Sequence, residues 1–309
     1  MSGPVVCIGA SFVDELFHTG DEILHATTTM ATVSKTAGGV SRNIAHQLAL
    51  LGVPVQLISV FGNDGDGDWL KEICTTSGVK LDASLTVNDF SGRYTGILNP
   101  DGSLFAAFLT NPVNHWLTPE HLERHRDMLT TASWILADTN TSIEAIEWLC
   151  AFSRKEIIPF IIEPVSVPPA KKLREADLNG LYLITPNEDE LQALCSEKAI
   201  TTEQQVDELF GRGVQVVWLH DGKQGSAFYS KGKTITLPAT PVDVLDCTGA
   251  GDASVSAFIL GKYLGMEDLD CLKLAHTLSS EILQVNGAVS KSVDQQKLLS
   301  LVTKYYPVK

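Results

Sequence analysis

The chain has 309 residues, of which 44% are hydrophobic and 19% charged, enough for a large core in one α/β domain. Its net charge is −14 and no Lys/Arg cluster is present, so we expect no binding to a nucleic-acid backbone. No apolar run approaches the roughly 18 residues of a membrane span. The six cysteines are scattered and form no CxxC pair, which does not favour a disulfide or zinc framework. Cysteines of this kind suit a reducing compartment, so we expect a cytoplasmic location.

Short β-branched runs alternate along the chain with segments of helical periodicity. Buried strands are predicted at "VVCIGA", "VQLISVF", "SWILAD", "IIPFII", "LYLI" and "VQVVWL". Helices are predicted at "SRNIAHQLALLG", "GDWLKEICTTSG", "TPEHLERHRDML", "SIEAIEWLCAF", "NEDELQALC" and "TEQQVDELFGRG". This alternation is typical of a mainly parallel sheet with helices on both faces.

Two β-rich segments, at about residues 12–36 and 90–110, interrupt this alternation. The second contains the turn sequence "NPDG" at 99–102, which predicts a hairpin. We expect both segments to form a small sheet beside the main layer. The roles that suit such a sheet are a lid over a ligand site and a contact between subunits. Residues 1–309 then form a single domain that carries two lid segments.

The segment "DCTGAGD", residues 246–252, precedes an apolar helix that carries Val255 and Phe258, and a β-rich segment comes before it. We therefore expect a strand-to-helix turn. The first N–H groups of a helix lack partners and its dipole is positive there, so small residues at this turn create an anion pocket. Asp252 would lie beside the anion, where a carboxylate is unfavourable unless it accepts a proton. The alternative is an ordinary glycine turn whose acid satisfies the dipole.

Three other motifs place polar groups at predicted strand ends and helix starts. Asn43 follows a Gly-Gly turn, where its amide suits a polyol or caps the helix. Asn187 and Glu190 follow a buried strand and either hold Mg²⁺ or cap the next helix. Gly222 and Gly225 form a turn that allows a nucleotide to approach the backbone. Together these features indicate phosphoryl transfer from a nucleotide to a hydroxyl group.

Three apparent motifs fail. The "SKGKT" segment has Ala227 where a P-loop needs glycine, and it lies in a predicted hairpin. The acidic run from Asp64 has Trp69 where a calcium loop needs glycine. His121 and His125 are four residues apart, and we expect them on a solvated helix face and not at a metal site.

The motifs "GGVSRN", "GNDGDG", "NEDE", "HDGKQG" and "DCTGAGD" occur in the order found in the PfkB (ribokinase-like) carbohydrate kinases, which the chain resembles along nearly its whole length. The resemblance implies a three-layer α/β/α sandwich with a small β lid, ATP and Mg²⁺ as cofactors, and a homodimer formed through the lid. A sugar or nucleoside would be the acceptor.

The resemblance also implies a role for each matching position. Asp252 would be the catalytic base, and Gly249, Ala250 and Gly251 the anion hole. Acceptor contacts would come from Asp14, Gly38, Gly39 and Asn43, and ATP contacts from Asn187, Glu190, Gly222, Gly225, Thr248, Asn286 and Gly287. Glu190 would hold Mg²⁺, directly or through water, and Asp246 would lie beside a monovalent cation such as K⁺.

Within the family the chain most resembles the pseudouridine kinases, through stretches such as "GGVSRNIAHQLALLG" and "EPVSVPPAKKL". This predicts phosphorylation of the 5′-hydroxyl of pseudouridine. Phe12, the segment around Thr110 ("FLTNPVN") and Glu163 depart from the subgroup's usual residues. The alternatives are another acceptor, namely ribose, a hexose or an ordinary nucleoside, and a family member that binds ligands without catalysis.

Overall fold

A computed structural model describes residues 3–111 and 115–307. Its strands are β1 (Val5–Ile8), β2 (Phe12–Thr19), β3 (Ala31–Gly38), β4 (Val55–Ile58), β5 (Val60–Gly62), β6 (Leu85–Val87), β7 (Arg93–Leu98), β8 (Leu104–Thr110), β9 (Trp134–Asp138), β10 (Phe160–Glu163), β11 (Leu183–Ile184), β12 (Val216–His220), β13 (Ser226–Ser230) and β14 (Lys233–Leu237). Its helices are α1 (Val40–Leu50), α2 (Gly65–Thr76), α3 (Pro119–Arg124), α4 (Arg126–Thr130), α5 (Ile143–Glu156), α6 (Val167–Lys172), α7 (Glu188–Leu194), α8 (Thr202–Gly211), α9 (Ala250–Tyr263), α10 (Asp268–Ile282) and α11 (Gln295–Tyr305).

The main sheet has eight strands in the order β14-β13-β12-β11-β10-β9-β1-β4. The strands from β12 to β4 in this order pair in parallel, whereas β13 and β14 are antiparallel. Alternate side chains enter different cores: Val5 and Cys7 face one, Val6 and Ile8 the other. Helices α1, α2 and α9 to α11 cover the first core, and α3 to α8 cover the second. This arrangement confirms the three-layer sandwich.

A separate four-stranded sheet has the order β3-β2-β7-β8 and confirms the small secondary sheet. The "NPDG" hairpin joins β7 to β8, also as expected. Ion pairs attach the sheet to α2, because Arg93 of β7 and Lys35 of β3 both contact Asp66. Arg93 also pairs with Glu15 of β2, within the sheet, at 2.8 Å. Residues 112–114 of the "FLTNPVN" segment lie outside the described residues.

Several local expectations were wrong. The strand before "DCTGAGD" ends at Leu237, and residues 238–249 form neither helix nor strand. The turn is therefore not a direct strand-to-helix connection. The helix predicted at "TPEHLERHRDML" is divided at His125 into α3 and α4. His121 is buried and bonds the carbonyl oxygen of Ala83 at 2.8 Å, so it does not lie on a solvated face.

None of the described helices combines the length and the apolar composition that crossing a membrane would require.

Candidate active site

The first turns of three helices meet the carboxyl ends of the parallel strands at one edge of the main sheet. Asp138 and Glu163 end β9 and β10, and Asn187 caps α7 just after β11. Asn43 lies near the start of α1 and Asp252 in the first turn of α9. Parallel α/β sheets bind their ligands at this edge. The fold therefore brings together predicted residues that are far apart in sequence.

The loop before α9 is held in one conformation by backbone geometry and by Asp246. Gly249 has φ 77°, and a Cβ on it would overlap the backbone of Ala288. The Asp246 carboxylate accepts from the N–H groups of Thr248 and Gly287, each at 2.9 Å. Burial alone would raise the pKa of Asp246, but these donors outweigh it and lower the pKa. Because Gly249 has no side chain to cap α9, the first N–H groups of the helix stay available to an anion.

Asp252 lies in that first turn and is 8% exposed. Its Oδ2 accepts a hydrogen bond from Nδ2 of Asn43 at 2.7 Å. Burial raises the pKa of Asp252 to about 7, even though Asn43 and Arg42 act in the opposite direction. A carboxylate with a pKa near neutrality can both accept and release a proton at physiological pH.

Asp14 lies in β2, Gly38 ends β3, and Gly39 is the N-cap residue of α1. Burial raises the pKa of Asp14 to about 6, partly offset by Arg42. A Cβ on Gly38 would overlap the Asp14 carboxylate, and Gly39, at φ 94°, lies directly against the carbonyl of Ala10. The two glycines thus let the end of β3 approach Asp14 closely.

Asp138 is a buried residue that the sequence analysis missed. One carboxylate oxygen accepts from the N–H groups of Ala10 and Ser41, at 3.0 and 2.9 Å, and the other accepts from Asn140 at 3.0 Å. Burial raises its pKa, while the Ser41 and Ala10 donors act in the opposite direction. Asp138 ties the start of α1 to the ends of β1 and β9. Its position at the end of a predicted strand was the signal in the sequence.

A cavity of about 640 Å³ extends from α9 along the main sheet. Six predicted residues line it, namely Asn187, Glu190, Gly222, Gly225, Ala250 and Gly251. Apolar side chains also line it, among them Val242, Val244 and Leu283. A lining that combines the start of α9 with apolar side chains suits a ligand that joins phosphate groups to a flat base.

Asn187 and Glu190 form a reciprocal capping box at the start of α7. The Asn187 N–H donates to Glu190 Oε2 and the Glu190 N–H donates to Asn187 Oδ1, both at 2.9 Å. The capping alternative is therefore correct as a description of local structure. The same two side chains line the cavity, so capping does not exclude contact with a ligand. Burial raises the pKa of Glu190, although its bonds with Asn187 lower it.

Glu163 extends the acidic edge towards the cavity. Its Oε2 accepts the N–H of Val165 at 2.7 Å. Val165 is β-branched yet has φ 67°, a conformation that costs about 1–3 kcal/mol and is found mainly at functional sites. Burial, with the nearby charges of Asp252 and Glu190, raises the pKa of Glu163 well above 4.5. The raised pKa favours the neutral form of Glu163, which would lessen the negative charge that a phosphate group meets here.

Two histidines of the cavity wall were also missed. The His220 ring packs against Trp218 at an interplanar angle of 40°, with ring centroids 4.4 Å apart, and His276 Nε2 lies 2.8 Å from the Ser226 hydroxyl. Burial lowers the pKa of His220 to about 3 and that of His276 to about 4, so both are neutral at pH 7. The "HDGKQG" motif contained His220, but the prediction considered only its glycines.

Three of the predicted ATP contacts, Thr248, Asn286 and Gly287, do not line the cavity. Thr248 and Gly287 are joined through Asp246, and Asn286 precedes Gly287 on the exposed side. Within residues 3–111 and 115–307, no group of three or more His, Cys, Asp or Glu side chains is arranged to hold a metal ion. Carboxylate and amide oxygens at Glu190 and Asn187 suit Mg²⁺ only if phosphate oxygens complete its ligand shell, which is how Mg²⁺ is commonly bound.

The three-layer fold, the loop at residues 246–251 (hereafter the anion loop) and the cavity beside it are together typical of a small-molecule kinase. The family model for the pfkB family of carbohydrate kinases matches residues 4–295, so the chain belongs to this family. Its members transfer a phosphoryl group to a hydroxyl group of a sugar or nucleoside.

Relatives with different substrates are similarly distant. The pseudouridine kinase of Escherichia coli K12 is 28% identical over 305 residues, which cover 96% of each chain. An uncharacterised sugar kinase of the same organism is 31% identical over 278 residues, 88% of this chain and 75% of the relative. The structure of Arabidopsis thaliana ribokinase with ribose and ATP is 26% identical, with a TM-score of 0.85, and the alignment covers 98% of this chain and 99% of the ribokinase.

Two glycines of the anion loop should respond differently to substitution by alanine. We expect Gly249→Ala to lower the free energy of unfolding by about 1–3 kcal/mol, because φ is positive and Ala288 occupies the space. Gly251→Ala is the matched control: nothing lies within 4 Å of its Cβ position, and alanine favours a helix. Urea denaturation of both variants checks this, and equal stabilities would contradict the packing described here.

Proposed function

We propose that this chain is an ATP- and Mg²⁺-dependent kinase that phosphorylates the 5′-hydroxyl of pseudouridine. The observation that carries the proposal is Asp252, whose buried carboxylate has a pKa of about 7 and lies at the anion loop. The Escherichia coli pseudouridine kinase supports the acceptor, and the ribokinase complex with ribose and ATP supports the nucleotide.

In this proposal, the two substrates meet at Asp252. Asp14, Gly38, Gly39 and Asn43 hold the acceptor ribose, so that its 5′-hydroxyl faces the Asp252 carboxylate. Asp252 accepts the hydroxyl proton while the oxygen attacks the γ-phosphorus of ATP and ADP leaves. The N–H groups of residues 249–251 stabilise the charge on the transferring group, and each well-placed donor contributes about 3 kcal/mol.

The remaining predicted residues serve the nucleotide. Gly222 and Gly225 lie at the cavity wall where the backbone can approach ATP, and the apolar side receives the base. Glu190 and Asn187 would hold Mg²⁺, which offsets the negative charge of the phosphates when bound. Thr248 and Gly287 support the loop through Asp246. Asn286 is proposed to contact ATP, and a K⁺ ion beside the loop is part of the proposal.

The four-stranded sheet is proposed as the lid, and it would exclude water when closed. It is also proposed to join two subunits. The side chains of β8 support this, because Leu104, Phe105, Phe108 and Leu109 are 48–61% exposed. Monomeric proteins seldom leave such a contiguous apolar strand uncovered.

A different acceptor is the second candidate, and the departures at Phe12 and Glu163 favour it. Phe12 is 5% exposed and its ring fills the space beside Gly92, so it belongs to the core under the sheet. A polar residue there would present a hydrogen-bonding group where this chain has only a ring. The 31% identity with an uncharacterised sugar kinase is compatible with ribose or a hexose.

Asp252→Asn should reduce turnover by at least about a hundredfold, because general-base catalysis contributes that much. In the unmodified enzyme the base must be ionised. kcat/KM should therefore rise with pH up to about 7 and then level off, since burial raises the pKa of Asp252 to about 7. Asp270→Asn is the control, because Asp270 is the third residue of α10 as Asp252 is of α9. Near-normal turnover of the Asp252 variant would refute the assignment.

The acceptor is tested by ADP release from Mg-ATP with pseudouridine, uridine, adenosine, ribose and fructose, with K⁺ or with Na⁺ alone. We expect turnover with pseudouridine and higher rates with K⁺. Turnover with another acceptor would support the proposed kinase reaction but would refute pseudouridine as the substrate. Lack of turnover with every acceptor would favour a ligand-binding protein without catalysis.

Sedimentation velocity should show a dimer at micromolar concentration, and Phe108→Lys should shift it to the monomer, because the substitution places a charge on the exposed strand β8. Phe90→Lys is the matched control, since Phe90 is 81% exposed and lies outside the four strands. A wild-type monomer, or equal effects of the two substitutions, would contradict the proposed interface.

A further inference from the structure

Arg42 is a buried cation at the start of α1, and the function proposed above gives it no role. It is 2% exposed. Its Nε donates to the carbonyl of Gly38 at 3.0 Å and its Nη2 to the carbonyl of Ala37. Nη1 lies 3.3 Å from Nδ1 of His46, one turn further along the helix. Four atoms of its surroundings thus fix the guanidinium plane, one of them the side-chain oxygen of Asn43.

Asn43 connects this guanidinium to the proposed base. Its Oδ1 accepts from Nη2 of Arg42, and its Nδ2 donates to Oδ2 of Asp252 at 2.7 Å. A guanidinium is only a donor and a carboxylate only an acceptor, so the two groups together allow a single orientation of the amide. The reverse orientation would place two donors face to face on one side and two acceptors on the other.

This orientation leaves one hydrogen of the amide nitrogen uncommitted. Nδ2 carries two hydrogens, and Asp252 takes one of them. The second hydrogen can bond an acceptor hydroxyl oxygen held beside the carboxylate. If the amide were flipped, so that its oxygen and nitrogen exchanged places, Asn43 could neither donate to Asp252 nor donate to that hydroxyl oxygen.

The charges around Asp252 come from several elements. Arg42 on α1 lowers the pKa of Asp252, whereas Asp14 on β2 and Asp138 on β9 raise it. Glu163 on β10 also faces Asp252, and each carboxyl disfavours ionisation of the other. Arg42 additionally lowers the pKa of Asp14. Removal of the guanidinium would therefore leave the two carboxylates more easily protonated.

We propose that Arg42 is a positioning residue that acts through Asn43: it holds the amide oxygen and so directs the amide nitrogen towards Asp252 and the acceptor hydroxyl. The inference rests on the proposed function for its consequence in catalysis. The relay from Arg42 through Asn43 to Asp252 is a property of the chain's own side chains, and it can be measured without turnover.

The test compares Arg42→Met and Arg42→Lys with Arg212→Met. Arg212 is the matched control, because it is half-buried and donates to the carbonyls of Leu194 and Ala176, remote from Asp252. The first readout is the pKa of Asp252 in the free protein, from ¹³C NMR of ¹³C-labelled aspartate, with Asp252→Asn identifying the signal. The second readout is the pH dependence of kcat/KM.

We expect Arg42→Met to raise the pKa of Asp252 by at least about one unit from about 7, so that kcat/KM falls at least about eightfold more at pH 6 than at pH 9. Arg42→Lys keeps the charge without the planar fork, so the pKa should stay close to that of the wild type while the high-pH plateau of kcat falls. Arg212→Met should change stability and leave both readouts unmoved. In an Asn43→Ala background, Arg42→Lys should have little further effect on kcat, because the relay is already broken.

Two results would overturn the proposal. One is an unchanged pKa of Asp252 in folded Arg42→Met. If Arg42→Met does not fold, the corresponding result is an unchanged high-pH plateau of kcat in folded Arg42→Lys. The other is an equal change in Arg212→Met, which would show a merely structural effect. Failure of the proposed function is a separate result: the wild type would not turn over any acceptor, while the NMR titrations would still decide whether Arg42 controls Asp252.

Discussion

The hydrogen bond between Asn43 and Asp252 joins two helix starts that are 209 residues apart in sequence, and the site depends on it. α1 follows the Gly-Gly turn and carries the proposed acceptor contact Asn43, and α9 follows the loop proposed to bind the transferring phosphoryl group. Asp138 ties α1 to the ends of β1 and β9, and Asp246 ties the loop before α9 to Gly287. The contact therefore lies where the two halves of the site meet.

The electrostatics of the site follow from burial in an acidic chain. Net charge is −14, yet ATP, the proposed phosphoryl donor, is a polyanion. Backbone N–H groups at the start of α9 provide local positive potential without a cluster of basic side chains. Burial raises the pKa of Asp252 and of Glu163, which favours their neutral forms and reduces the negative charge beside the start of α9. The same effect brings the pKa of Asp252 to about 7, where a general base is effective.

The sequence predicted the features that are local. The alternation of strands and helices predicted the main sheet, and Gly249, Gly251 and Asp252 predicted the loop and helix start at which an anion could bind. Arg42, Asp138 and Glu163 were missed or left without a role, because their significance comes from partners distant in sequence. The β-rich segment was expected to lead directly into the turn at 246–252, whereas the strand ends at Leu237 and several residues of 238–249 line the cavity, which β-branched residues alone do not reveal. Asn187 and Glu190 show that capping and ligand contact are compatible at one helix start.

The most direct test of the account is a crystal structure of the Asp252→Asn variant with pseudouridine and a non-hydrolysable ATP analogue. The account predicts the 5′-oxygen within about 2.6–3.2 Å of the residue 252 side chain, on the side where the γ-phosphate meets the loop at 249–251. A 5′-oxygen remote from residue 252, or a nucleotide bound outside the 640 Å³ cavity, would contradict it.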